Sequence, residues 1–260
     1  DTVSNTFSGM LPAMTASVFF MIISGIFSST HFNSFTEAIY TVFQIPLSGL
    51  GNNVWSLFMI VLFQMVLWFF GIHGSLVVST VISVMFLPMD VENLVAFGQG
   101  VAGSDLPNIL GKAFYNIFSG IGGAGGTLGL CILLTFVAKS KQLRTLGRLA
   151  LIPSFFTINE PLIFGVPLIL NPVMIIPFMT VPLVQTIVAY LAITSGLVPR
   201  LAGVQAPFGI PVFINGFMQG SWKISVLQLV LIVISVLIYY PFFKKLDNDY
   251  YQKEKLAATE

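Results

Sequence analysis

Residues 10–27, 54–70, 75–87, 173–197 and 225–243 contain no charged side chain, and most of their residues are apolar. A backbone placed in hydrocarbon has to satisfy its N–H and C=O groups internally, which an α-helix does. At about 20 apolar residues per crossing, a chain of 260 residues has room for about 5–7 crossings plus re-entrant pieces. The expected fold is therefore an all-α polytopic membrane protein set in a lipid bilayer. Composition agrees: 56% of residues are hydrophobic and 8% charged, against roughly 25% charged in soluble domains. The net charge of +1 gives no argument for a nucleic-acid partner.

Between two of the most apolar runs stands Thr157-Ile158-Asn159-Glu160-Pro161. Glu160 is the only carboxylate between Asp105 and Asp247. An ionised carboxylate at membrane depth costs several kcal/mol even after its surroundings relax, so such a residue marks a functional site. The alternative is a surface loop that leaves Glu160 in water.

Other interruptions follow the same pattern. Residues 10–27 read as a first span with His31 as an interfacial residue, and residues 35–50 as an amphipathic helix lying at the interface. Gly71-Ile72-His73-Gly74 breaks the second span before residues 75–87 resume. Irregular backbone at that depth has to be buried in protein or line a wet cavity. Residues 88–110, with Asp90, Glu92 and Asp105, read as a solvated loop. The run Gly122-Gly123-Ala124-Gly125-Gly126-Thr127 admits two readings. Its small residues allow close helix packing, or they bring backbone groups against a polar ligand.

Lys139, Lys141, Arg144 and Arg148 form a dense basic cluster that the positive-inside tendency places in the cytoplasm. Pro167, Pro172, Pro177 and Pro182 break up the next region, although residues 173–197 are apolar enough to span. Residues 199–220 are broken again by glycine and proline, and residues 225–243 make a final span. Residues 1–243 are thus expected to be membrane-embedded. Residues 244–260 are expected to be a cytoplasmic, disordered tail. The single Cys131 reads as a packed apolar residue, since one cysteine makes neither an internal disulfide nor a metal cluster. Asp1 opens the chain without a signal-peptide pattern, and the chain is expected to be a piece of a longer one.

The polar groups at these interruptions suggest the ligand. Gln64, His73, Thr127, Thr157, Asn159, Glu160, Asn171, Gln185 and Gln205 join Trp55, Trp68 and Trp222. No lysine or arginine accompanies Glu160 in its stretch, and no carboxylate cluster suggests a metal. Amides, an imidazole, a carboxylate and indole faces suit a neutral polyhydroxy compound. Broken helices that bind substrate near the midplane are a transporter device. On the residues alone, a secondary transporter coupling protons through Glu160 remains an alternative.

Four stretches resemble one family. Gly71-Ile72-His73-Gly74 is similar to a GIHG motif, residues 122–128 to a GGSGATL stretch, and Ala138-Lys139-Ser140-Lys141 to an AKSK run. Residues 158–178 resemble a signature INEPIIFGxP followed by NPxxxIPF. In this order they resemble the sugar-specific enzyme IIC membrane components of the bacterial phosphotransferase system, in the lactose, cellobiose and chitobiose branch.

The resemblance implies a disaccharide substrate, a cytoplasmic enzyme IIB partner carrying phosphocysteine, enzyme IIA upstream, and no cofactor. It implies two re-entrant hairpins, an elevator-like movement and residence in the bacterial plasma membrane. It also implies a dimer formed by an N-terminal bundle that this stretch does not include. His73 and Glu160 correspond to the family's catalytic pair. Asn159, Thr157, Gly74, Gly125, Gly126, Thr127 and Trp68 complete the candidate substrate site. Two departures stand out. Thr157 replaces an asparagine of the family's FNINEP, and residues 203–208 lack the tryptophan of its PWTTP segment.

Overall fold

The computed structural model describes residues 2–28, 53–166 and 168–257. The expected interfacial residue His31 and interfacial helix 35–50 lie outside them, as does Pro167. Two compact units divide the chain, residues 1–50 and 51–260. In the first, helix α1 covers Thr2–Ser28.

All remaining elements belong to the second unit. Among the described residues its regular elements are all helices: α2 (Val54–Phe69), α3 (Gly74–Gly98), α4 (Lys112–Phe118), α5 (Leu128–Phe136), α6 (Lys141–Phe155), α7 (Glu160–Gly165), α8 (Ile175–Thr194), α9 (Ile214–Phe217) and α10 (Trp222–Ala257). Short 3₁₀ turns occupy Gly103–Asp105 and Ala124–Gly126. Of the described helices, α3, α8 and α10 are long and apolar enough to cross a membrane. Helix α2 and the stretch Ala124–Phe136 are apolar but shorter. Short helices meet at the glycine- and proline-rich breaks, because each break removes hydrogen bonds that a continuous helix would make.

The core joins α5, α6, α7, α8 and α10. Leu130, Leu134, Leu143, Leu162, Val181 and Tyr239 are fully buried in it. Cys131 is buried there as well, a packed residue as expected. Against lipid, which is as apolar as these side chains, such a core is held by close van der Waals packing rather than by removal from water.

Two expectations need correction. Residues 88–110 are not an open solvated loop. Helix α3 runs through Pro88 to Gly98, and Asp90 and Asn93 are each only 2% exposed. Their side chains serve as surrogate backbone partners. Asn93 Nδ2 donates to the carbonyls of Asn108 and Leu201, and the Asn108 N–H donates back to Asn93 Oδ1. Charge content alone reads such residues as solvent-facing, but buried polar groups that are fully hydrogen-bonded are tolerated.

The tail from residue 244 is not disordered through Ala257 either, because α10 continues to that residue. Asp247, 4% exposed, accepts the N–H groups of Lys139 and Ser140. Glu254 accepts those of Lys141 and Gln142 and the Ser140 hydroxyl. The orphan donors at the start of α6 thus find their acceptors on a different helix.

Candidate functional site

A cavity of about 560 Å³ opens where four interruptions of the helical pattern meet. His73 comes from the break between α2 and α3. Thr157, Asn159 and Glu160 come from the break between α6 and α7. Gly120, Gly123 and Ala124 come from the glycine-rich turn, and Val204 and residues 206–210 from the irregular segment before α9.

His73 caps α3: its Nδ1 accepts the Leu76 N–H at 3.3 Å. A neutral imidazole with Nδ1 so occupied carries its proton on Nε2. Its ring lies 4.3 Å, centroid to centroid, from the Trp68 indole. Trp68 Nε1 in turn donates to Ser75 Oγ at 3.2 Å, and Gln64 Nε2 donates to the same oxygen at 2.9 Å. The Tyr115 hydroxyl closes the set on Gln64 Oε1 at 2.5 Å. Three helices therefore hold the imidazole and the indole beside it in place.

On the facing break, Asn159 is 3% exposed. Its Nδ2 donates to the Ala124 carbonyl and to Thr127 Oγ1, both at 2.7 Å. A Cβ added to Gly123 would sit 2.3 Å from Asn159 Cγ, so only glycine admits this approach. Glu160 opens α7, where its charge is favoured by the helix dipole. The carboxylate lines the cavity, and no hydrogen bond or ion pair to another described residue engages it.

Of the expected site residues, Trp68, His73, Thr157, Asn159 and Glu160 share the cavity wall. Gly74, Gly125, Gly126 and Thr127 do not. Thr127 sits behind Asn159 and donates to the Gly122 carbonyl. Gly74 lets α3 press on α2, since a Cβ there would be 2.2 Å from the Gln64 carbonyl oxygen. The carbonyls of Gly125 and Gly126 accept from Tyr239 and Ser235 of α10. The residues of the glycine run differ: Gly123 lines the cavity, whereas Gly125 and Gly126 pack helices.

Of the other polar candidates, Asn171 caps the approach to α8 by accepting the Val173 and Met174 N–H groups. Gln185 is buried between helices. Trp55 and Trp222 are exposed. Gln205 bonds Asp90.

Sequence reasoning passed over Lys112, Tyr115, Asn116, Asn215 and Gln219, all of which line the cavity. Lys112 corrects the expectation that the site holds no positive charge. The signal was available, because Lys112 is the only charged residue between Asp105 and Lys139, the same isolation that marked Glu160. Asp90 was also missed. It lies behind the wall, where its Oδ2 accepts the Ala113 N–H and Gln205 Nε2, both at 2.8 Å. It thereby ties the start of α4 to the segment carrying residues 206–210.

Comparison with known proteins gives a consistent assignment. The family pattern described as "Phosphotransferase system, EIIC" matches residues 1–182. The oligo-beta-mannoside-specific EIIC component of Bacillus subtilis is 36% identical over 260 residues, covering 99% of this chain and 58% of that protein. The cellobiose-specific EIIC component of Geobacillus stearothermophilus is 37% identical over 259 residues, covering 99% and 57%. The crystal structure of ChbC, the IIC component from the N,N'-diacetylchitobiose-specific phosphotransferase system, superposes with a TM-score of 0.78 at 36% identity. That match covers 98% of this chain and 59% of ChbC. The chain thus spans somewhat more than half the length of these relatives. On sequence and fold together, it belongs to the phosphotransferase system EIIC family of membrane transport components.

Proposed function

We propose that this chain is the sugar-binding and translocating part of a bacterial plasma-membrane permease, crossing the membrane several times. Its substrate is a disaccharide of the cellobiose, chitobiose or lactose kind, with a sugar hydroxyl presented to a cytoplasmic enzyme IIB. Enzyme IIA supplies IIB, and the phosphoryl group comes ultimately from phosphoenolpyruvate. The longer protein works as a homodimer, with two re-entrant hairpins and an elevator-like movement. One observation carries the reading: the free Glu160 carboxylate faces the same cavity as His73. Amides, hydroxyls and the Trp68 indole complete a wall suited to a neutral sugar. Relatives named for oligo-beta-mannoside, cellobiose and N,N'-diacetylchitobiose support the substrate class.

Phosphoryl transfer relies mainly on positioning and charge stabilisation. In the proposed step, a sugar hydroxyl donates a hydrogen bond to Glu160 and accepts one from His73 Nε2–H. As the oxygen attacks phosphorus, its proton passes to the Glu160 carboxylate, which acts as general base. The Trp68–Ser75–Gln64–Tyr115 set keeps the imidazole from turning away.

The test is a screen of disaccharides for thermal protection, followed by phosphorylation of the ligands found, using enzyme IIB and phosphoenolpyruvate. Binding together with phosphoenolpyruvate-dependent product formation supports the reading. Vesicle uptake that follows a pH gradient and ignores phosphoenolpyruvate would favour proton-coupled transport instead.

A further inference from the structure

We infer that Lys112 binds the anionic phosphoryl oxygens of the phosphorylated sugar, so that the cavity is built to hold that product as well as the free sugar. The inference rests on the proposed phosphotransferase role and assigns this residue to the charged half of the same site.

Lys112 stands on the first turn of α4 and lines the cavity. An ammonium has three N–H donors. In this structure one of them goes to a neutral acceptor, Ser83 Oγ at 3.0 Å, and no other partner engages the rest among the described residues. The neighbouring carboxylate, Asp90, influences Lys112 through space but does not bond its ammonium. Asp90 Oδ2 is already taken by the Ala113 N–H and the Gln205 amide, and the Gly111 backbone packs against Oδ1. Lys112 and Glu160 do not pair either, although both line the cavity.

Half-buried Lys112 and exposed Glu160 thus present opposite charges to one cavity without bonding each other, so a single ligand can engage both. A neutral sugar can satisfy Glu160 through its hydroxyls but brings no anion for Lys112. A phosphate monoester brings that anion. During transfer, the P–S bond of the IIB phosphocysteine breaks and its electron pair stays on the leaving thiolate. The sugar oxygen forms the new O–P bond, and its proton moves to Glu160. The anionic phosphoryl oxygens then lie against the Lys112 ammonium, a charge-assisted contact of the kind lysines make to phosphates. The free sugar lacks this contact, so Lys112 selects for the product and for the transition state approaching it.

The test measures binding to the purified wild-type chain, Lys112→Gln and Lys112→Arg. The probes are cellobiose, N,N'-diacetylchitobiose and lactose, each beside its phosphate monoester. A contact worth about 1.5–3 kcal/mol corresponds to roughly a ten- to hundredfold change in affinity. Lys112→Gln is expected to weaken the phosphate ester by that factor while leaving the free sugar within about threefold. Lys112→Arg should restore most of the ester's affinity, which a purely structural role for Lys112 would not require. The inference is overturned, with the proposed function intact, if wild type binds a sugar but not its ester, or if Lys112→Gln weakens both equally or neither. A wild-type chain that binds none of the probes overturns the proposed function and this inference together.

Discussion

The side-chain amide of Asn159 donates to the main-chain carbonyl of Ala124 at 2.7 Å, joining two helix breaks that are 35 residues apart in sequence. The same nitrogen reaches Thr127 Oγ1 at 2.7 Å, so both amide protons are used. The carboxylate of Glu160 is therefore presented from a platform fixed to the glycine-rich turn.

Replacing Asn159 by Ala strands a buried carbonyl and removes a partner from Thr127. The expected loss is about 1–3 kcal/mol of stability, read as a lower melting temperature in detergent. Replacing it by Asp should cost more, because a carboxylate would face the Ala124 carbonyl with no proton to donate. Equal melting temperatures for wild type and Asn159→Ala would contradict the platform.

Thr157 holds a left-handed backbone with φ of 65°. A β-branched side chain is ill suited to that region, whereas Asn and Gly adopt it readily. Thr157→Asn should stabilise the chain by about 1 kcal/mol and raise the melting temperature. Thr157→Val, which keeps the branching and the strain, should bring no such gain.

The C-terminal end of α10 should behave as part of the folded unit. Asp247→Ala removes the acceptor for three N–H contacts from Lys139 and Ser140 and should cost about 1–3 kcal/mol. Amide exchange at residues 139–142 should accelerate in this variant. Glu254→Ala should have a smaller effect, because Glu254 is partly solvated and exposed charge contacts are worth little.

The comparison between sequence and fold is sharpest at these residues. Glu160 and His73 were legible because a polar residue inside an apolar run is costly and stands out. The helix spans were legible for the same reason of composition. Asp90, Asn93 and Asp247 were not, since each is satisfied by backbone groups far away in sequence, and the period of a helix carries no record of such partners. Lys112 announced itself by isolation as clearly as Glu160 did. Its neighbours, however, read in sequence as the edge of a loop rather than as part of a cavity. Gly125 and Gly126 look like Gly123 in sequence, and only the packing of α8 and α10 separates their roles.

Ligand binding should be visible from Trp68. Its ring lies tilted against His73 within the cavity wall, while Trp55 and Trp222 are 64% and 63% exposed. A bound disaccharide should change the tryptophan emission of wild type, Trp55→Phe and Trp222→Phe. Trp68→Phe should abolish the change. A sugar-dependent signal that survives in Trp68→Phe would place the ligand elsewhere.

The role of Glu160 is tested most directly by Glu160→Gln, with sugar binding and phosphoryl transfer measured separately on the same preparation. The amide keeps the size of the side chain and can still bond a hydroxyl, but it is not a base at neutral pH. The account predicts that binding stays within about tenfold of wild type while transfer from enzyme IIB falls by about 10²- to 10⁴-fold. Transfer at the wild-type rate in Glu160→Gln would contradict it.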